Sequence, residues 1–298
     1  MAKIDSSGNN IAIPVKLIEC PRDAMQGIHD YIPFELKVKY INLLLKCGFD
    51  TIDFGSFVSP KAIPQLKDTA EVIEKLDVTS NGTKLLAIIA NVRGAEEAAK
   101  FEKITYLGYP FSLSETFQQR NTNRSITVAY EDIKAMQEIC VKQSKKLVVY
   151  FSMGFGNPYG DPWNAEIVSE WLEKLTKEDI KIFSLADTVG TANHDDIASV
   201  FKMVMKAYPH LEIGAHFHAR PEERNAKISA AWDAGCRRFD MAMLGFGGCP
   251  MAEDELVGNI STEFVLGFLK DKNIPDGIDE DALIVAKIVA SEIFGRYF

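Results

Sequence analysis

The sequence predicts a closed (β/α)8 TIM barrel with one extra helix at its C-terminal end, and three observations carry that prediction. Eight short apolar, β-branched runs alternate with longer segments of helical period, the pattern of βα units around a parallel sheet. The length of 298 residues, with 47% apolar and 25% charged, is near the usual size of this fold, and no linker interrupts it. The first turn, Pro21-Arg-Asp-Ala-Met-Gln-Gly27, lacks the glycine-rich pattern of an open dinucleotide-binding sheet, the structural runner-up, and no Walker motif occurs.

In chain order, the apolar runs place strands at residues 15–20, 49–54, 84–90, 103–108, 146–152, 180–186, 211–218 and 237–243. Between them, helical spacing predicts helices over 33–47, 64–76, 95–101, 126–145, 164–176, 193–207 and 221–234. Residues 260–269 supply the eighth helix and 279–294 the extra one. The whole chain, 1–298, is expected to be one barrel domain, with 1–14 as an N-terminal segment and 279–298 carrying the C-terminal helix.

Composition excludes several function classes. The net charge of −9 is spread along the helices, so a nucleic-acid surface or an anionic-membrane surface is not expected, and an anionic small substrate would need local cations. No apolar run approaches the roughly 18–20 residues that span a bilayer. The first ten residues contain no apolar signal core, so a cytoplasmic protein is expected. Five cysteines without paired spacing suit reduced thiols.

The candidate chemistry begins at Ile213-Gly-Ala-His-Phe-His-Ala-Arg220. Alternate side chains of a strand share a face, so His216 and His218 can meet one cation. Alone, His-x-His is more often structural. In a βα barrel, however, the chemistry gathers at the C-terminal ends of the strands. Strand one ends in Arg22-Asp23, strand two in Asp53 with Ser56 following, strand six in Ser184 and Asp187, and strand seven in the two histidines. After strand eight come Leu244-Gly-Phe-Gly-Gly-Cys-Pro250, then Glu253, Asp254, Glu255 and Asn259. Closure sets strand eight between seven and one, so these groups converge. A carboxylate, two imidazoles and an amide oxygen form a mixed oxygen/nitrogen set that favours Mg²⁺ or Mn²⁺ over Zn²⁺. Cys249, in a Gly/Pro loop, is the cysteine placed for reactivity, and the other four read as packing residues. Asp187 and Asp53 could equally cap nearby turns. Arg120, Arg124 and Arg220 could meet substrate anions, although solvated arginines are commoner.

These motifs resemble the 3-hydroxy-3-methylglutaryl-CoA lyase family, within the metal-dependent barrel lyases, synthases and aldolases. The resemblance runs nearly end to end, through Pro21-Arg-Asp-Ala-Met-Gln26, Ser56-Phe-Val-Ser-Pro-Lys61, Ser184-Leu-Ala-Asp-Thr-Val-Gly190, His216-Phe-His218, the glycine loop ending in Cys249-Pro250, and Gly258-Asn259. It implies Asp23, His216, His218 and Asn259 as metal ligands, Arg22 as the cation beside the reacting carbonyl, and Cys249 as the catalytic thiol. It also implies retro-Claisen cleavage of an acyl-CoA to acetyl-CoA and a keto acid. Asp187 and His216 are the candidate bases, and Gln26, Asp53, Ser56, Tyr159 and Ser184 the candidate substrate contacts. The chain departs from the family pattern at Asp53, one methylene shorter than the expected Glu; at His29, in place of a lysine; at Ala219 to Glu223; and in a longer, acidic loop at Glu253-Asp-Glu255. An aldolase for a 4-hydroxy-2-oxo acid or a Claisen-type synthase is the alternative, and a ligand-sensing barrel stabilised by metal is the non-enzymatic one. A homo-oligomer is compatible with any of them.

Overall fold

The computed structural model describes residues 3–4, 10–11, 14–78, 82–248 and 257–297. Eight parallel strands close into a barrel: β1 (Lys16–Glu19), β2 (Thr51–Ser56), β3 (Lys84–Ile88), β4 (Ile104–Ser112), β5 (Lys146–Ser152), β6 (Ile182–Asp187), β7 (Glu212–Phe217) and β8 (Arg238–Met241). Closure is made by β8, which pairs with β1 on one side (Asp240 opposite Ile18) and with β7 on the other (Asp240 opposite His216). The barrel expected from the sequence is therefore the observed fold. A short antiparallel pair, Lys3–Ile4 with Asn10–Ile11, precedes it.

Helices cover the outside: α1 (Pro21–Gln26), α2 (Phe34–Leu44), α3 (Thr69–Glu74), α4 (Val92–Ala99), α5 (Glu115–Thr122), α6 (Ile126–Lys142), α7 (Ala165–Lys177), α8 (His194–Ala207), α9 (Arg224–Asp233), α10 (Thr262–Asp271) and the extra α11 (Glu280–Tyr297). Two of these, α1 and α5, were not expected. Pro21 occupies the first turn of α1, where its missing N–H costs nothing, and the helix lasts only six residues, too few for periodicity to register. In α5, the Ser114 hydroxyl accepts the Phe117 N–H and Asn123 closes the helix in the left-handed conformation, a capping signal with little apolar spacing behind it. The segment 64–76 divides into a short 3₁₀ turn, Pro64–Leu66, and α3. None of the helices described is long and apolar enough to cross a membrane.

Outward-facing strand residues such as Leu107, Val149, Phe151 and Phe183 join the helices in the main core. A second cluster, Leu86, Ile88, Tyr106, Val148, Tyr150 and Ile182, comes from the alternate positions and fills one side of the barrel interior. The other side is charged. Lys16 pairs with Glu212 at 2.6 Å, Glu212 with Arg238 at 3.3 Å, Arg238 with Asp240 at 3.0 Å, and Asp240 with His216 at 3.2 Å, a ladder of alternating sign that climbs toward the C-terminal mouth. Gly214 makes room for it, since a Cβ there would lie 2.6 Å from the Arg238 Nη1.

Glu19 ties β1 to the chain that follows β8. Its carboxyl accepts the Met243 N–H at 2.7 Å and meets the Thr262 hydroxyl at 2.5 Å, with no exposure to solvent. Burial raises its pKa from 4.5 to about 8, against the lowering effect of those two bonds. The folded protein thus holds a proton there that the unfolded chain loses near 4.5, and stability contributed by the neutral acid falls as pH rises through that window toward 8. Glu19→Gln keeps both bonds without an ionisable group, so its unfolding temperature should fall less than the wild type's between about pH 5 and about pH 8 in thermal melts. An identical slope in both proteins would contradict this role.

Candidate active site at the barrel mouth

A cavity of about 440 Å³ opens at the C-terminal ends of the strands, walled by Arg22, Asp23, Gln26, His216 and His218 on the polar side and by Val58, Ile63, Ile88, Pro110 and Tyr150 on the apolar side. Arg22 and Asp23 stand on α1, directly after β1, and both are buried. The Arg22 guanidinium makes a fork with both oxygens of Asp53, from Nε at 3.2 and 3.0 Å and from Nη2 at 2.5 Å, and its Nη1 reaches Asp23 at 2.9 Å and Gln26 at 3.0 Å. Burial disfavours the charge, but Asp53 and Asp23 more than restore it, so Arg22 stays protonated. Burial pushes Asp53 up to about 6 even beside that guanidinium.

The Asp23, His216 and His218 ligand atoms lie within 4.8 Å of one another. His218 Nδ1 lies 2.8 Å from the Thr188 carbonyl, which can only accept, so Nδ1 carries the proton and Nε2 keeps its lone pair. Among the described residues Nε2 has no hydrogen-bond partner, with Asp23 Oδ2 3.8 Å away. Burial and the neighbouring His216 hold this ring neutral, with a pKa of about 4. His216 is oriented in the same way by Asp240 Oδ2, which faces its Nδ1 at 3.2 Å and leaves Nε2 available. Burial would raise the Asp23 pKa, but Arg22, the two imidazoles and Asn259 bring it below the usual range, so it is ionised. A buried carboxylate, two neutral-capable imidazoles and an orphaned ring nitrogen fit a divalent cation. A second cluster, Cys20, His216 and Asp240, fits less well. Burial and nearby carboxylates push the Cys20 thiol well up, and Asp240 is already engaged by Arg238, Ser184 and His216.

Asn259 joins the group by its backbone, in a bridge to His218, and by its side chain. The amide oxygen was expected to face the cation, whereas the structure turns Nδ2 there, donating to Asp23 Oδ2 at 2.5 Å and to the Phe246 carbonyl at 2.9 Å. Both partners only accept, which explains that orientation. Gly247 permits the approach, because a Cβ at its φ of +105° would lie 2.5 Å from Asn259 Nδ2.

Other expected contacts sit behind the cavity wall. Asp53 faces Arg22, is fully buried and does not line the cavity. The Ser184 hydroxyl donates to Asp240 at 3.2 Å, and the Ser56 hydroxyl to the Ile88 carbonyl at 3.4 Å. Asp187, a candidate base, is the buried partner of Lys227 at 2.7 Å and accepts the Ala192 N–H; it does not line the cavity. Tyr159 stacks on Phe117 beneath Arg120. His29 is exposed, away from the cavity lining. Cys249 and the acidic loop at Glu253-Asp-Glu255 lie outside the described residues.

Three residues were missed in the sequence. Asp240 and Arg238 alternate on β8 toward the interior, and two charges two residues apart in a predicted strand were the available signal. Lys227 was legible as a lysine on the buried face of its helix with Ala230 and Ala231. From there its ammonium holds Asp187 and the carbonyls of Gly190 (2.7 Å) and His218 (3.1 Å), fixing the chain that leaves β7.

The fold and site together define a barrel enzyme that gathers a carboxylate, two imidazoles and a guanidinium at its catalytic mouth, the arrangement for chemistry beside a carbonyl. More narrowly, the chain belongs to the HMGL-like family, whose model matches residues 15–289. It is similar to a hydroxymethylglutaryl-CoA lyase of Bacillus subtilis, 31% identical over 276 residues, 93% of this chain and 91% of the relative. It is 27% identical to an (R)-citramalyl-CoA lyase of Chloroflexus aurantiacus over 289 residues, 93% and 89% of the two chains. Among solved structures, an HMG-CoA lyase from Acinetobacter baumannii in complex with coenzyme A and 3-methylmalate superposes with a TM-score of 0.88 at 30% identity, covering 96% of this chain and 93% of that one.

Proposed function

We infer that this chain is a carbon–carbon lyase that cleaves a 3-hydroxy-3-methylglutaryl-CoA-like thioester to acetyl-CoA and a keto acid. The single observation that carries this reading is the converging trio of Asp23, His216 and His218 beside the buried Arg22, in a family whose relatives are named for that cleavage. Asp23, His216 and His218 would hold a divalent cation, Mg²⁺ or Mn²⁺ in preference to Zn²⁺, with Asn259 as a fourth ligand once its amide is turned. Bound there, the cation supplies Lewis acidity to the substrate hydroxyl and carboxylate oxygens.

The chain's own groups do the rest. The substrate hydroxyl loses its proton, the bond between the carbinol carbon and the thioester α-carbon breaks, and its electron pair becomes the thioester enolate. Arg22, fixed in place by Asp53, sets positive charge where that enolate oxygen develops. Of the two candidate bases, Asp187 does not line the cavity and takes a positioning role, and His216, with Nδ1 turned to Asp240 and Nε2 turned to the cation, has no lone pair free, so the hydroxyl proton leaves to water on the polar side of the cavity. Cys249 is proposed as the acid that delivers a proton to the enolate carbon, completing acetyl-CoA. The apolar wall of Val58, Ile88 and Tyr150 keeps water from the enolate.

The test is turnover by the metal-loaded protein of 3-hydroxy-3-methylglutaryl-CoA, citramalyl-CoA and a free 4-hydroxy-2-oxo acid. Acetoacetate and acetyl-CoA from the first, stopped by a chelator, is the expected outcome. Pyruvate from the CoA-free acid alone would replace the lyase reading with the aldolase one.

A further inference from the structure

The cavity wall carries two arginines, and they differ in how far their charge is already answered. Arg22 is surrounded by Asp53, Asp23 and Gln26. Arg120, in the last turn of α5, forms no salt bridge with a carboxylate among the described residues. Glu115, on the same helix, and Asp161, two residues from Tyr159, are engaged elsewhere: Glu115 accepts the Ile126 N–H, and Asp161 accepts the Ser114 hydroxyl and the N–H and hydroxyl of Thr116. Arg124 is paired with Asp132 at 3.3 Å.

Arg120 is also held in place. Its guanidinium lies 5.1 Å from the centroid of the Tyr159 ring, and that ring stacks on the buried Phe117 with planes 15° apart. The turn bearing Tyr159 is closed by Asn157, whose side-chain oxygen accepts the N–H groups of Tyr159 and Asp161, and Asp161 fastens the turn to the start of α5. Arg120 itself is exposed to solvent at the rim of the cavity, where an incoming anion can reach it. A planar cation seated on an aromatic ring keeps its N–H edge directed outward, the geometry that receives a carboxylate or a phosphate.

We propose that Arg120 is the receptor for an anionic group of the substrate that the metal trio does not hold, a phosphate of the coenzyme A half or a carboxylate of the acyl half. This rests on the acyl-CoA reading above and adds a site to it. With the magnesium-loaded protein, Arg120→Gln should raise KM for the acyl-CoA on the order of tenfold with kcat little changed, the loss of one charge-assisted bond, and Arg120→Lys should fall between. The same acyl group on pantetheine, which lacks the nucleotide phosphates, separates the sources. Equal KM values in variant and wild type identify the phosphate, and a persisting tenfold difference identifies the carboxylate. Calorimetric titration with coenzyme A and with 3-hydroxy-3-methylglutarate reads binding without turnover. A wild type that binds one of them about tenfold more tightly than Arg120→Gln yet releases no acetoacetate would defeat the lyase reading and leave this site standing. Unchanged KM and unchanged binding of both probes in Arg120→Gln would overturn it.

Discussion

Arg22→Gln should lower kcat on the order of 10²–10³, the cost of removing one preorganised group from a developing oxyanion. The same change leaves Asp53, fully buried, without its cation, and stranding a buried charge costs about 3–5 kcal/mol. Two effects are therefore mixed in one variant, and the structure shows how to separate them. In Arg22→Met/Asp53→Leu the buried pair is replaced by apolar side chains, a change that is often neutral for stability. The double variant should melt nearer the wild type than Arg22→Gln does and remain as inactive. Arg22→Lys keeps the charge but cannot form the two-oxygen fork with Asp53, so its kcat should be intermediate. Recovery of activity with stability in the double variant would show that Arg22 acts only by holding the fold.

His218→Ala should have the opposite signature. In the metal-free protein His218 Nε2 is a buried acceptor without a hydrogen-bond partner among the described residues, so its removal relieves an unsatisfied group as it empties a small volume. The metal-free variant should melt close to the wild type, while the rise in melting temperature on adding metal should disappear. For the wild type that rise reflects about 2.7 kcal/mol at a cation concentration a hundred times Kd. Melting curves with and without Mn²⁺, on both proteins, check it. A metal-free variant that fails to fold would instead make His218 a structural residue.

The barrel could be read from the sequence because both faces of a parallel strand are buried, leaving compact apolar runs such as Leu147 to Phe151 that contrast with the helices. The trio was legible for a related reason: strand alternation sets His216 and His218 on one face, and closure adds the end of β1. What alternation cannot give is the direction of a polar side chain that has several partners. Asp53 and Ser184 sit at strand ends, as catalytic groups do, yet Asp53 turns to Arg22 and Ser184 to Asp240. Asp187 is claimed by Lys227, which comes from a helix forty residues further along the chain. Such choices are decided by which buried charge needs an answer, and that depends on contacts distant in sequence.

Asp23, His216 and His218 are proposed to form one cation site at the mouth of the barrel. Titration of Mn²⁺ into metal-free wild type, His218→Ala and Asp23→Ala, followed by electron paramagnetic resonance of the free ion, tests it most directly. One ion bound per wild-type chain, with affinity lowered at least about tenfold in each variant, is the predicted result. Undiminished binding in both variants, or none in the wild type, would contradict it.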